Sequence, residues 1–229
     1  MSAQRKKEPR LMLAGGGNEV DSEPLDRVFA AWMGRGGGML YLPIAQELNA
    51  AGYEDALRWL RSVFEPLGVR EIKMWTGLAD HTAEELREFD AVYIGGGNTF
   101  RLLSLLRESG FDVHLQEYFA GGGAIYGGSA GAIVMGRNIL TAYGDPNDVA
   151  LVDTRGLDLA RGHSLWCHYE EAHDPLIYDY IGKYSIPVIA LPERAGVGIE
   201  AERMVAWGHE PVYRFTHRRK RAIPPGEQV

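Results

Sequence analysis

Short apolar-rich runs separated by amphipathic stretches set the rhythm of this chain. The runs at 11–14 (LMLA), 39–43 (MLYLP), 70–74 (REIKM), 91–94 (AVYI), 124–127 (AIYG) and 187–191 (PVIAL) are too short for helices. Most lack polar alternation, which is how strands covered on both faces read. Between them, "DSEPLDRVFAAWM" opens with Asp21 or Ser22 as cap and spaces Leu25, Val28, Phe29 and Trp32 along one helical face. "YEDALRWLRSVFEPLG" repeats the pattern with Leu57, Leu60 and Val63 and stops at Pro66 and Gly68. "NTFRLLSLLRESG" has Asn98 or Thr99 as cap and Gly110 as stop. Strand alternating with helix predicts an α/β fold with a mostly parallel sheet and crossover helices. The last third, "GVGIEAERMVAWGHEPVYRFTH", alternates apolar and polar residues with turns at Glu202 and Gly208-His209, predicting a hairpin or meander that finishes the sheet.

Composition narrows the class. With 229 residues and 45% hydrophobic content, the chain can bury a sizeable core as one domain. The core is expected over about 10–215, with loose tails at 1–9 and 217–229, the latter a basic run followed by Pro-Pro-Gly. A formal charge of -7 argues against a nucleic-acid partner, whose footprint would be a basic excess on one face. The single cysteine, Cys167, excludes an internal disulfide and a thiolate zinc site, and points to the cytoplasm. Four apolar residues before the first glycines are too few for a signal-peptide core, and no run approaches the roughly 18 residues of a membrane span. A membrane partner is therefore not expected. Trp207, Tyr213 and Phe215 would be sheet core or the interface of a homodimer.

Candidate chemistry centres on Gly127-Gly128-Ser129-Ala130-Gly131, a Gly-x-Ser-x-Gly pattern between an apolar strand and a helix. That context is the one a nucleophile elbow requires, with small neighbours admitting a sharp turn and a close-lying substrate. The helix start behind the serine offers free N–H groups to a developing oxyanion. "IGGGNTF" and "LAGGGNE" follow two other strands. They lack the lysine of a P-loop and the spacing of a dinucleotide fingerprint, but could present backbone N–H groups to an anion. Three glycine loops at the ends of parallel strands would converge on one crevice.

A serine nucleophile needs a base. His168 follows the apolar run Leu165-Trp166-Cys167, with His163 and His173 as competitors that spacing alone does not separate. The orienting acid is Asp148, Asp153 or Asp158 if it precedes the histidine. It is Glu193, at the end of a strongly apolar run, if it follows.

The segments IGGGNTFRLL (94–103), GGSAGA (127–132), NDVALVD (147–153), the histidine of CHY (168) and LPE (191–193) resemble, in order and spacing, the peptidase E family of aspartyl dipeptidases and its relatives the cyanophycinases. The resemblance implies a three-layer α/β sandwich of the class I glutamine amidotransferase-like type, with the C-terminal antiparallel hairpin added to it. It implies Ser129 as nucleophile, His168 as base and Glu193 as third member. Gly97 and Ala130 would form the oxyanion hole, and Asn98 and Asp148 would bind substrate. No metal and no organic cofactor is implied. The expected activity is hydrolysis of dipeptides or short peptides from a free N-terminus, with N-terminal aspartate as the candidate preference. The alternatives are cyanophycinase-like cleavage of β-aspartyl-arginine, for which Glu170, Glu171 and Asp148 could supply acid, and a non-catalytic small-molecule binder of the same fold. Two departures bear on the pocket. Gly128 stands where enteric relatives carry tryptophan, implying more room, and the segment after His168 is short and poor in basic residues. An aspartyl side chain wants a cation, and Arg194, Arg155, Arg161 and Lys183 are the candidates.

Overall fold

The structure, a computed structural model, describes residues 8–34 and 36–229. In chain order the elements are β1 (Arg10–Ala14), α1 (Glu19–Met33), β2 (Gly38–Leu42), α2 (Ala50–Phe64), β3 (Glu71–Met74), α3 (Ala83–Leu86), β4 (Ala91–Ile94), α4 (Thr99–Glu108), α5 (Phe111–Ala120), β5 (Ala124–Gly128) and α6 (Ala130–Val134). There follow β6 (Ser164–Trp166), α7 (Asp174–Tyr184), β7 (Val188–Ala190), β8 (Ala195–Glu200), β9 (Arg203–Gly208), β10 (Val212–Thr216) and β11 (Arg219–Ile223).

A seven-stranded sheet runs β3-β2-β4-β5-β1-β8-β9. Its first five strands are parallel, and β8 and β9 close it with antiparallel pairings. β1, β2, β4 and β5 are buried on both faces, as their lack of alternation predicts, whereas edge strand β3 leaves Glu71 and Lys73 exposed. Leu11, Val92, Ile94 and Ile125 pack on the side of α4 to α6, whereas Met12, Ala91, Tyr93, Ala124 and Tyr126 pack on the opposite side with Leu25 and Phe29 of α1 and Leu60 and Phe64 of α2. Edge-to-face contacts of Phe29 with Phe64 and Tyr126 tie both helices to the sheet. Helix α1 begins earlier than expected. Asn18, not Asp21 or Ser22, is its cap, and Asp21 returns a bond to the Asn18 N–H in a capping box.

The rest of the chain departs from a single sheet. The run at 187–191, expected among the parallel strands, supplies β7 of a second sheet ordered β11-β10-β7-β6. The predicted terminal meander is divided: β8 and β9 finish the large sheet, and after Gly208 the chain crosses so that β10 pairs with β7. Segment 217–229, expected to be loose, contains β11, paired along its length with β10. Its end is fastened by Ala206 N–H to the Glu227 carbonyl and Val229 N–H to the Met204 carbonyl. The basic run folds because Ile223 is fully buried while Arg219 and Arg221 face out, and Lys220 pairs with Asp174 at 2.9 Å. Phe215 is core, and Tyr213 and Trp207 are half-buried against it and the large sheet. The expected loose segment 1–9 falls, through residue 7, outside the described residues. Among those described, no helix is long and apolar enough to cross a membrane.

Candidate active site

Ser129 sits at the C-terminal end of β5, where the strand turns into α6. Its backbone takes φ 50° and ψ -111°, a conformation that L-residues avoid unless the surroundings enforce it. The enforcement is visible. The Ser129 N–H continues the sheet to the Ala14 carbonyl at 3.1 Å, and its carbonyl accepts from Ala132 and Ile133, starting the helix. A Cβ on Gly131 would lie 2.2 Å from the Ile94 carbonyl oxygen, so the turn closes only with glycine there.

The partners come from the second sheet. His168 follows β6 and Glu193 follows β7, two parallel neighbours. Ser129 Oγ lies 2.8 Å from His168 Nε2, and His168 Nδ1 lies 3.1 Å from Glu193 Oε1. With a proton on Nδ1 donated to the carboxylate, Nε2 is left to accept the serine proton. Both the imidazole and the carboxylate are about half exposed (52% and 58%), so water reaches the pair in the free protein. His168 also has φ 50°, and its N–H is held by the Gly15 carbonyl at 2.9 Å. Gly16, at φ 136°, makes room for the ring: a Cβ there would fall 2.3 Å from His168 Cε1. The first glycine loop, weak as a sequence signal, therefore seats the imidazole.

The competing histidines are otherwise engaged. His163 hydrogen-bonds the Ala160 and Arg161 carbonyls through Nδ1 and accepts from Arg214 through Nε2, and burial lowers its pKa. His173 accepts the Glu170 N–H and packs beside Trp166. Asp153 pairs with Arg155, whose hydrogen bonds hold it well below the usual carboxylate range, and Asp158 accepts from the Gly162 N–H. Cys167 is buried, and burial pushes its thiol far up, so no thiolate competes with the serine.

Two cavities meet at Ser129, and Gly97 and His168 line both. On the α1 and α2 side a cavity of about 460 Å³ is walled by Tyr41, Trp59, Tyr93 and Tyr126; on the α6 side one of about 270 Å³ is lined by Thr99, Tyr143, Asp145 and His173. Among the described residues, no hydrogen bond takes the N–H of Gly97 or Ala130, so both are available to an oxyanion. Asn98, expected at the substrate, has both side-chain polar atoms engaged. Oδ1 caps α4 through the Arg101 N–H, and Nδ2 donates to the Pro146 carbonyl. Asp148 is exposed and on neither cavity wall; Asp145, three residues earlier, lines the smaller cavity and accepts the Thr99 N–H. Sequence reading passed over Asp145, although it lies one residue before Pro146 in the same loop.

None of the cations suggested for aspartate recognition lines either cavity. Arg194 pairs with Asp21 and Arg155 with Asp153, Arg161 donates to the Ala201 and Glu202 carbonyls, and Lys183 lies over the Tyr184 ring. Among the described residues, no cluster of three or more His, Cys, Asp or Glu is grouped to hold a metal ion.

Similarity to known proteins adds to this geometry. The family model of peptidase family S51 matches residues 11–206. An uncharacterized peptidase of Listeria innocua is 41% identical over 81 residues, 34% of this chain and 39% of that protein. Peptidase E of Streptomyces coelicolor is 30% identical over 142 residues, 57% of each. The matched stretch thus spans less than two thirds of either relative. The crystal structure of a peptidase from an acI-B1 actinobacterium superposes with a TM-score of 0.77 at 18% identity, covering 100% of this chain and 99% of that one, a likeness of fold.

Proposed function

We propose that this chain, which belongs to peptidase family S51, is a serine peptidase that cleaves dipeptides or short peptides through an acyl-enzyme. The observation that carries the reading is the relay of Ser129, His168 and Glu193 at 2.8 and 3.1 Å, opening on two cavities. Ser129 Oγ attacks the scissile carbonyl while its proton passes to His168 Nε2. Glu193 orients the imidazole and stabilises its cation. The Gly97 and Ala130 N–H groups receive the oxyanion. His168 then protonates the leaving amine, and water, activated by the same imidazole, releases the acyl product. Two cavities meeting at one hydroxyl suit a substrate with one residue on each side of the bond. Neither cavity is lined by a lysine or arginine, so this geometry gives the side chain of an N-terminal aspartate no such partner.

The test is hydrolysis by the purified protein of dipeptides with Asp, Glu, Asn, Arg or Leu at the N-terminus, and of β-aspartyl-arginine, against Ser129→Ala. Turnover that the substitution abolishes supports the mechanism. Turnover retained by Ser129→Ala, or none of any member by folded protein, counts against it.

A further inference from the structure

The larger cavity carries information about the substrate that goes beyond the cleavage reaction and rests on the reading of Ser129 as its nucleophile. It begins beside that serine. A Cβ placed on Gly128 would meet only the Tyr93 hydroxyl, at 3.4 Å, so this position leaves the cavity mouth open. Four aromatic rings form the walls, and Ser22 and Gln46 add polar atoms.

Behind Ser22 lies Asp26, only 2% exposed. Ser22 donates to its carboxylate at 2.8 Å, and among the described residues no lysine or arginine pairs with it. The surrounding charges do not compensate it. Asp21 is matched by Arg194, and Glu23 by Arg27. Glu19 accepts the Trp59 indole N–H at 3.1 Å, and so adds a second acid near the cavity wall. Tyr126, 1% exposed and on that wall, turns its hydroxyl toward the Asp26 carboxyl and Ser22, the polar groups nearest it. A buried carboxyl with no cation to pair it, linked through Ser22 and Tyr126 to a ring-walled space, is the pattern of a site that a ligand completes.

We propose that this cavity is a cation-accepting pocket that takes a lysyl or arginyl side chain flanking the scissile bond, with Asp26 as its specificity-determining residue. Aromatic faces attract cations, most strongly where water is excluded, and the long apolar stem of such a side chain fits between rings. The buried carboxylate adds a fixed negative potential behind them. An acidic side chain would bring a second carboxylate into this field with no cation to pair it, which is unfavourable.

The experiment measures kcat/KM for X-Ala and Ala-X dipeptides with X as Lys, Met or Glu, in wild type and in Asp26→Asn. Lysine is expected to exceed methionine by about tenfold or more, and glutamate by about a hundredfold, at one of the two positions; Asp26→Asn should lower the Lys/Met ratio there by about fivefold or more, leaving the share that the rings contribute. Methionine or glutamate matching lysine at both positions, or a ratio that Asp26→Asn leaves unchanged, overturns the proposal while the peptidase reading stands. If no dipeptide is turned over, it is the peptidase reading that fails, and the pocket is judged by calorimetric titration of Ser129→Ala with lysinamide and norleucinamide. Tighter binding of lysinamide supports the pocket, and equal or undetectable binding of both overturns it.

Discussion

The two sheets contribute to the site unequally. The large sheet supplies Ser129 and the Gly97 and Ala130 N–H groups from neighbouring strand ends, in a turn so tight that one added methyl would strike the Ile94 carbonyl. The small sheet supplies His168 and Glu193 from two three-residue strands, and there the side chains stand half exposed. The proposed nucleophile is thus held by a tight turn within one sheet, and its proposed proton-handling partners by contacts between sheets. The first arrangement should fail abruptly when altered and the second by degrees.

The largest effect is expected where both halves act on one atom. Ser129→Ala and His168→Ala should each lower kcat/KM by about 10⁴ or more, and the double variant by little beyond either, because in the proposed mechanism the two act as a unit. A double loss equal to the product of the single losses would separate them. Gly16→Val removes none of the proposed reacting groups but puts side-chain atoms where the imidazole lies. A loss of roughly 10³ with an unchanged circular dichroism spectrum is expected, since misplacement by about an ångström costs on that scale.

Asp26 sharpens the contrast from the side of stability. Burial pushes its carboxyl up from 3.8 to about 6, so the folded protein holds a proton that the unfolded chain releases across that interval. Stability from this group is therefore highest below the unfolded pKa and falls as pH rises to about 6. The difference of about two units corresponds to roughly 3 kcal/mol. Asp26→Asn should be more stable than wild type by up to about that amount near pH 7.5, with the gain gone near pH 3.5, as read by urea midpoints. Equal midpoints at both pH values would show that the carboxyl carries no such strain. The smallest effect is expected for Glu193→Gln, about tenfold in kcat/KM, because an exposed pair is screened by water and salt in a way that a buried triad aspartate is not.

How much of this was readable in the chain follows the same division. The large sheet was legible because each strand is an apolar run next to an amphipathic helix, and Ser129 because its elbow is written in five consecutive residues. The small sheet was not. β6 and β7 are three residues each, and nothing local tells 187–191 to pair with 212–216 rather than with β1. For that reason His168 could not be separated from His163 and His173 by spacing, and its choice rested on family resemblance. The basic stretch at 219–221 looked solvated because charge counts do not reveal that Ile223 is anchored. Asp26 had a signal that went unused: it stands one turn after Ser22 and one before Phe29, on the face that the apolar spacing assigns to the core.

The division between sheets also has a kinetic reading. Of the five tryptophans, Trp166 lies in β6, whereas Trp32, Trp59 and Trp207 lie in α1, α2 and β9, and Trp75 follows β3. Substituting them selectively gives each half its own optical clock during refolding. On the proposed mechanism, recovered turnover is a third clock, which starts only when the sheets have docked and brought Ser129 Oγ and His168 Nε2 together. The lag between the last optical phase and the return of activity would time the meeting of the two halves.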